Sequence, residues 1–482
     1  MSFTFKLTVN ITYKKIKGRK FAINQEIQFM EIQEIVSKQK EFFKTQQTKN
    51  LRFRKMYLEK LRDIILQNEN LLYEAIDKDF GKSKFDTFTT EISFILNDIK
   101  YYLNNLKLLS KPKKVRTNIV NQIGKSRICS EPLGNILVIG AWNYPYQLSL
   151  SPIVAALAAG NCCIVKPSEI AENTMKVMVK IINENFPSEY LYAYEGGIDE
   201  TTELLKLKFD KIFFTGSTKV GKIIYEAAAK NLTPVTLELG GKSPAIITKE
   251  ANLEVAAKRI VWGKFLNAGQ TCVAPDYLLV EESVQEQFLE MLRKYIQEFK
   301  YEINSENYTR IINSKNFERL TKLINKDKIY FGGNSDQEKL YIEPTILTNV
   351  NWNDDVMQDE IFGPILPVIS FTNFNLVLNE ILEHEKPLAA YLFTQNSEEK
   401  EIFKNKLSFG GGCINDVMMH LGNENLPFGG VGNSGIGNYH GKFGFETFSH
   451  QKAVLEKATW GEPNIKYPPY SEKKLSWIKR FL

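Results

Sequence analysis

The sequence predicts an α/β protein built on parallel sheets, and two observations support this. Short, unbroken apolar runs alternate with helical patterns between residues 136 and 239, and strands that are apolar throughout are typical of a parallel sheet covered on both faces. The chain has 482 residues, which exceeds the roughly 250–300 residues at which a single core stops growing. We therefore expect two or more domains.

The first part of the chain predicts an extension, a set of helices and an arm. Residues 1–29 lack the apolar core and cleavage site of a secretory signal, so we expect a disordered or optional extension with Met30 as an alternative start. From Ile32 to Lys107 apolar residues recur at spacings of three and four, which predicts helices. Residues 111–132 are rich in lysine and predict an exposed extended arm.

Two α/β sets follow the arm. In the first, the predicted strands are Ile136–Ile139, Cys162–Val165, a short one around Tyr194, Ile212–Phe214 and Val235–Leu239, and the predicted helices are Ser149–Ala159, Thr174–Asn185, a brief one near Leu204 and Val220–Lys230. The second set, at about 243–415, contains the predicted helices Leu253–Leu266 and Phe374–Leu382 and the predicted strands Leu278–Val280 and Leu366–Ile369. Ligands of parallel sheets bind outside the carboxyl ends of the strands, and those ends here carry Asn143, Lys166 and Gly216.

Composition and charge exclude several classes of function. The net charge of +6 comes from six basic residues among the first 25, and without them 56 basic residues face 56 acidic ones. The charge therefore gives no reason to expect nucleic-acid binding. No apolar run reaches the ~18–20 residues of a membrane span, since Pro152 interrupts the nearest one, Leu148–Ala159.

Cysteine usage predicts a cytoplasmic protein without a structural metal. The five cysteines are an odd number and form no CxxC pair, which is typical of reduced thiols rather than of a disulfide framework or zinc site.

Four separated motifs carry a family resemblance. They are Trp142-Asn143-Tyr144-Pro145, Glu238-Leu239-Gly240-Gly241-Lys242-Ser243-Pro244, Asn267-Ala268-Gly269-Gln270-Thr271-Cys272-Val273-Ala274-Pro275 and Glu360-Ile361-Phe362-Gly363-Pro364. Together they resemble the aldehyde dehydrogenase superfamily, from about Met30 to the end. Pro427–Gly435 and Tyr439–Lys442 resemble its class 3 branch, which acts on fatty and aromatic aldehydes.

The resemblance implies a division of the chain and an assembly. Residues 30–237 are expected to form a dinucleotide-binding domain, with 111–132 as an oligomerisation arm. Residues 238–415 are expected to form the catalytic domain, and residues 416–482 a returning segment with the C-terminal tail. Class 3 members are usually homodimers, so we expect the tail to cover a partner subunit, with weak contact to an anionic membrane surface as the alternative.

Three residues are the candidates for catalysis. In the family the position of Cys272 is the nucleophile, and sulfur both attacks a carbonyl and leaves from a thioester well. The Asn143 side-chain amide and the Cys272 backbone N–H would stabilise the oxyanion, and Glu238 would activate the water that hydrolyses the thioester. Taken alone, each residue has a plainer interpretation: a buried inert cysteine, a turn asparagine and a strand-terminal acid facing solvent.

The cofactor site lacks the usual glycine motif of dinucleotide binders. The segment Phe214–Gly221 joins a strand to a helix instead, and free N–H groups at the helix start can hold pyrophosphate. Lys166 and Glu169 can reach the hydroxyls of the adenosine ribose. A carboxylate near this ribose favours NAD, and we expect NADP to be accepted as well. The resemblance adds Glu360 at the nicotinamide ribose and Phe362 against the ring. The full expected set is Trp142, Lys166, Glu169, Gly216, Ser217, Gly221, Leu239, Gly240, Glu360 and Phe362, and no metal is expected.

Two other enzyme classes fit the sequence less well. Gly216, Gly221 and Lys222 have the spacing of a phosphate-binding P-loop, but Ile223 stands where that loop needs Ser or Thr. A cysteine–histidine hydrolase would need one of four downstream histidines as its base, and no hydrolase motif surrounds any of them. The sequence does not reveal which aldehyde is oxidised.

Overall fold

The computed structural model describes residues 30–303 and 305–481, so the expected extension at 1–29 lies outside the described residues. Its helices, numbered in chain order, are α1 (30–44), α2 (Leu51–Gln67), α3 (Glu69–Phe80), α4 (Lys84–Thr87), α5 (Ser93–Leu109), α6 (Pro145–Ala159), α7 (Glu172–Asn183), α8 (Ile198–Leu204), α9 (Thr218–Ala229), α10 (Leu253–Phe265), α11 (Gln285–Phe299), α12 (Ser314–Lys322), α13 (Asp355–Gln358), α14 (Phe374–Leu382), α15 (Ser397–Lys406), α16 (Gly441–Thr447) and α17 (Glu472–Phe481).

The strands fall into three main sheets and one short pair. They are β1 (Lys113–Val115), β2 (Gly124–Pro132), β3 (Asn135–Ile139), β4 (Cys162–Lys166), β5 (Leu191–Ala193), β6 (Lys211–Thr215), β7 (Val235–Glu238), β8 (Pro244–Ile247), β9 (Tyr277–Glu281), β10 (Ile329–Phe331), β11 (Ser335–Asp336), β12 (Tyr341–Ile342), β13 (Thr345–Leu347), β14 (Ile365–Phe371), β15 (Ala389–Phe393), β16 (Gly411–Ile414), β17 (Gly435–Ile436) and β18 (Ser449–Lys457).

The first sheet is six-stranded, in the order β17-β7-β6-β3-β4-β5. Its strands are parallel except for β17, which pairs antiparallel with β7. Alternate residues of β3 face different cores: Ile136 and Val138 belong to one, and Leu137 and Ile139 to the other. Both faces are therefore covered, which is why these strands are apolar throughout and confirms the predicted parallel α/β fold.

The second sheet is seven-stranded, in the order β10-β13-β14-β9-β8-β15-β16. Only its edge strand β10 is antiparallel. The chain passes from the first sheet to the second between β7 and β8, so the segment Leu239–Ser243 joins the two. The predicted boundary between residues 237 and 238 lies at the last residue of β7, before this crossing, and the division into domains remains a prediction.

The arm is a three-stranded antiparallel sheet, β1-β2-β18. Two of its strands lie in the expected arm at 111–132, and the third comes from the C-terminal segment. All of β1 and most of β18 are exposed. The sequence analysis did not foresee the contribution of β18, because strand pairing between residues so far apart leaves no local signal.

Helix α6 begins earlier than predicted and continues past Pro152. Pro145 occupies its first turn, where a missing N–H costs nothing. Every residue of α6 is buried, so tertiary packing maintains a helix that the internal proline disfavours. The early start matters for the site because Asn143 and Tyr144 immediately precede this first turn.

Candidate active site

The carboxyl edge of the six-stranded sheet gathers the predicted polar residues. Ile139, at the end of β3, lies opposite Lys166 on β4, and Thr215, at the end of β6, lies opposite Glu238 on β7. Asn143 follows β3 by a few residues and is buried.

The chain bends sharply before Cys272. Asn267, Ala268 and Gly269 have φ values of 55°, 51° and 73°, so three consecutive residues are left-handed after α10 ends. A Cβ on Gly269 would lie 2.3 Å from the carbonyl oxygen of Gly363, so only glycine fits there. A left-handed alanine is uncommon and concentrates at functional sites. The bend ends the helix and directs the chain into the cleft.

Hydrogen bonds to Gln270 hold this bend. Its side-chain amide donates to the carbonyl oxygens of Asn267 and Arg310, each at 3.1 Å, and its side-chain oxygen accepts from the Ile312 N–H at 3.0 Å. Its own carbonyl oxygen accepts from the Asn143 and Asn267 side-chain amides, each at 3.1 Å. An amide nitrogen carries two hydrogens, so Asn143 can still donate one to a ligand.

Cys272 is half-buried, and opposing influences act on its thiol. Burial, followed by the negative charges of Glu360 and Glu238, raises its pKa to about 12. The backbone N–H groups of Cys272 and Val273 hydrogen-bond the sulfur and act in the other direction. Those N–H groups are fixed donors close to the place where charge would develop on a bound carbonyl oxygen.

Glu238 is a buried carboxylate without a partner. Its residue is 2% exposed, and neither of its oxygens has a hydrogen-bond partner among the described residues. Burial raises the pKa of this carboxyl well above its usual value. Leaving such a group unpaired is costly, which is typical of a group reserved for water or a ligand.

Glu360 approaches the segment between the two sheets. A Cβ on Gly240 would lie 1.9 Å from its Oε2 atom, so the side chain occupies the space that any other residue at position 240 would need. Burial, followed by the charge of Asp276, raises the pKa of Glu360 to about 8.

The remaining expected cofactor residues lie along the same edge. Lys166 and Glu169 form an ion pair at 2.5 Å, with Lys166 2% exposed and Glu169 36% exposed. The Ser217 hydroxyl accepts from the Val220 N–H at the start of α9. Gly221 lies against Leu239, where a Cβ would meet Cδ2 at 2.6 Å.

Comparison with known proteins identifies the family. The model of the "Aldehyde dehydrogenase family" matches residues 9–454. The chain belongs to the aldehyde dehydrogenase family. The family model therefore begins to match upstream of Met30, whereas the resemblance drawn from the motifs begins at about Met30.

Individual relatives support the class 3 resemblance. The chain is 46% identical to rat "Aldehyde dehydrogenase family 3 member A2" over 93% of each chain. It is 43% identical to dog "Aldehyde dehydrogenase, dimeric NADP-preferring", over 91% of this chain and 98% of that one. The solved structure "Substrate bound state of Staphylococcus Aureus AldH" superimposes with a TM-score of 0.91 at 47% identity, covering 93% of this chain and 99% of that one.

In this aldehyde dehydrogenase the predicted aromatic residues form one cluster. The rings of Trp142 and Phe362 meet edge-on at 5.4 Å, and Trp142 stacks on Phe80 at 6.3 Å. The Leu239 N–H is already bonded to the carbonyl oxygen of Ser434, so this residue offers its side chain rather than a donor. Glu169 is paired with Lys166 rather than free.

The sequence analysis missed a contact next to the nucleophile, between Tyr144 and Thr271. The Tyr144 hydroxyl lies 2.6 Å from the Thr271 hydroxyl, and the sequence analysis named both residues only as members of motifs. The family motifs contain both residues, but nothing in the sequence pairs them.

The histidines do not support a hydrolase. Among the described residues, Cys413 Sγ lies 3.5 Å from His420 Nδ1, and this cysteine–histidine contact does not involve Cys272. His384 stacks on Trp352, and His440 on Phe428.

Two further findings concern the described residues alone. The described residues include no group of three or more His, Cys, Asp or Glu side chains placed to hold a metal ion. Within the same ranges, none of the helices combines the length and apolar character that crossing a bilayer requires.

Proposed function

We propose that this enzyme oxidises aldehydes to carboxylic acids with Cys272 as nucleophile, Asn143 as oxyanion donor and Glu238 as base. The observation that carries the proposal is the buried, unpartnered Glu238 carboxylate, whose charge acts on the Cys272 thiol. This carboxyl is buried, acts on the Cys272 thiol and has no hydrogen-bond partner among the described residues, so we assign it to water activation.

The chemistry of the protein residues follows from the site. The Cys272 thiol loses its proton to solvent and its sulfur adds to the aldehyde carbon, while the electron pair of the C=O π bond moves to the oxygen, which becomes negative. The second N–H of Asn143 and the Cys272 backbone N–H donate to that oxygen. After oxidation a thioester remains on Cys272. Glu238 takes a proton from a water that attacks the thioester, and the acid leaves as the thiol is restored.

The residues at the sheet edge fit a nicotinamide dinucleotide, which when bound accepts the hydride from the substrate carbon. Gly240 and Gly221 let the Glu360 and Leu239 side chains pack closely against the backbone of this edge, and the start of α9 offers N–H groups to phosphate. Lys166 and Glu169 would hold the ribose, with Trp142, Gly216, Ser217, Leu239, Glu360 and Phe362 completing the site. We propose NAD as the preferred cofactor, with NADP also accepted, and the name of the dog relative supports NADP use.

Assembly as a homodimer is the second part of the proposal. The arm presents exposed apolar residues, among them Val454 and Leu455 on β18, and exposed apolar strands favour association. The name of the dog relative includes the word dimeric. The cytoplasmic location remains a prediction from cysteine usage.

The proposal is tested by following reduced nicotinamide by absorbance. The substrates are medium- and long-chain aliphatic and aromatic aldehydes, each with NAD and with NADP. We expect Cys272→Ser to lower kcat by roughly a thousandfold or more while cofactor binding is kept, because a serine hydroxyl lacks a comparable ionised fraction at neutral pH. Cys129→Ser, in the arm, is the matched control and should leave kcat unchanged. Turnover of Cys272→Ser within about tenfold of the parent would reject the assignment.

A further inference from the structure

A buried ion pair lies behind the site and belongs to neither sheet. Lys82 Nζ and Glu91 Oε1 are 3.0 Å apart, and both side chains are fully buried. Glu91 lies in a π-helical turn, Phe88–Ile92, between α4 and α5. Such turns are rare and frequent at functional sites.

Glu91 holds the first turn of α6. Its second oxygen, Oε2, accepts from the backbone N–H groups of Tyr146 at 2.8 Å and Gln147 at 3.4 Å. The N–H groups of a first helical turn lack partners within the helix, and a carboxylate there also meets the positive end of the helix dipole. Glu91 therefore fixes the segment that carries Asn143 and Tyr144.

Lys82 contacts the same segment through the ring of Tyr144. Its ammonium lies 4.3 Å from the centroid of the Tyr144 ring, which is within cation–π range. The hydroxyl of that ring contacts the hydroxyl of Thr271, the neighbour of Cys272. A continuous chain of contacts thus runs from Lys82 through Tyr144 to the loop of the nucleophile.

A third connection runs from Phe80, two residues before Lys82. Its carbonyl oxygen accepts from the Arg310 N–H at 2.9 Å. The Arg310 carbonyl oxygen in turn accepts from the side chain of Gln270, the residue that braces the bend. The segment at 80–91 therefore reaches Asn143, Thr271 and Gln270 by separate routes.

We propose that Lys82 and Glu91 are positioning residues for the oxyanion donor and the nucleophile of aldehyde oxidation. The inference rests on the roles proposed for Cys272 and Asn143. A buried ion pair stabilises a fold poorly, because the desolvation of both charges offsets their attraction. Here Glu91 also holds the Tyr146 and Gln147 N–H groups, and Lys82 lies over the Tyr144 ring. The pair therefore fixes the segment that follows Asn143, and the contact between Tyr144 and Thr271 links that segment to the loop of Cys272. Neither residue touches the substrate.

The test is Lys82→Met, with Lys82→Arg as the conservative variant. A misplacement of about 1 Å at a reacting centre can cost about a hundredfold in rate, so Lys82→Met should lower kcat by about that factor. The Kd for the reduced cofactor, measured by its fluorescence, should remain within about twofold, because the Lys166–Glu169 pair and the start of α9, which would hold the ribose and pyrophosphate, lie outside the segment at 80–91. Lys82→Arg keeps the charge and should recover most of kcat.

A double variant separates positioning from stability. Lys82→Met leaves Glu91 buried without its ion-pair partner. The variant that combines Lys82→Met with Glu91→Met removes both charges and preserves the fold should the single variant fail to fold. Positioning predicts that the folded double variant still has a greatly lowered kcat. Lys211→Met is the matched control, since Lys211 is also a buried lysine but begins β6, at the edge of the sheet opposite the site.

Two results would overturn the inference. One is a double variant with the kcat of the parent, which would leave the pair a purely structural role. The other is an equal loss of kcat in Lys211→Met. Failure of the proposed function is distinguishable, because it would appear as turnover in Cys272→Ser. Full activity in Lys82→Met together with an inactive Cys272→Ser would reject only the positioning role.

Discussion

The loop that carries Cys272 and the edge that faces the cofactor are built in different ways. The loop is braced: both polar groups of the Gln270 side chain and its carbonyl oxygen are bonded to Asn143, Asn267, Arg310 or Ile312. The cofactor-facing edge relies instead on glycines and on one ion pair, whose acid is 36% exposed. One region is held by hydrogen bonds among its own groups, whereas the other is closely packed at its glycines and carries a partly exposed acid.

This difference has a chemical meaning. Oxyanion stabilisation is strongest when donors need not reorganise during the reaction, so the donor and nucleophile benefit from rigid support. A dinucleotide must enter and leave in every cycle, and a partly exposed acid such as Glu169 can move to permit this. Glu238 and Glu360 lie where the two regions meet, and both have a raised pKa because they are buried.

Asn143→Ala tests the braced region and should have the largest effect. Loss of one oxyanion donor typically lowers kcat by about 10²–10³-fold, and we expect a loss of that order with unchanged cofactor Kd. Steady-state kinetics and a fluorescence titration of the reduced cofactor measure the two quantities. Asn185→Ala, which removes an asparagine near the end of α7, is the control. A parallel loss of cofactor binding would show that the two regions are not separate.

Glu360→Gln tests the boundary between the regions. A negative charge beside a thiol opposes its ionisation, so Glu360 raises the pKa of Cys272 and its removal should lower that pKa. We expect the pH midpoint of Cys272 alkylation by iodoacetamide to fall by on the order of one unit, which gives about tenfold more thiolate at a given pH below the midpoint. Glu383→Gln, an exposed acid just after α14, should not shift it. A midpoint that stays or rises would contradict the account.

Glu169→Gln tests the open edge and should have the smallest effect. A 2′-phosphate ~4 Å from this carboxylate would meet a repulsion of about 4 kcal/mol at an effective dielectric near 20. The pairing with Lys166 and the exposure of Glu169 reduce that penalty. We expect KM for NADP to fall a few-fold and KM for NAD to rise slightly, with kcat unchanged. Glu172→Gln, on the first turn of α7, is the control, and an unchanged ratio of the two KM values would show that Glu169 does not face the ribose.

The sequence predicted the strands beside the cofactor region more closely than it predicted the contacts of the catalytic residues. The strands β3, β4, β6 and β7 were predicted to within about two residues, because burial on both faces leaves continuous apolar runs. The positions of Cys272 and Glu238 came from family motifs. The structure supplied what motifs lack: that the Glu238 carboxyl has no hydrogen-bond partner among the described residues, and that three left-handed residues shortly precede Cys272.

The supports of the site left no signal in the sequence. Lys82 lies in the connection between α3 and α4 and Glu91 in the π-helical turn, within a region that the sequence predicted only as helical. Their partners Tyr144 and Tyr146 are more than fifty residues away. The start of α6 was predicted four residues late because Tyr144-Pro145 was interpreted only as a turn. Contacts between distant segments depend on the packed fold, and local patterns do not encode them.

The central claim is that the substrate becomes covalently bound to Cys272 and is released by water that Glu238 activates. Glu238→Gln mixed rapidly with aldehyde and NAD tests it directly, by absorbance and by mass spectrometry of the peptide that contains Cys272. The account predicts a burst near one reduced cofactor per competent active site, a slow steady state, and an acyl mass added to Cys272. Equal slowing of burst and steady state, with Cys272 unmodified, would contradict it.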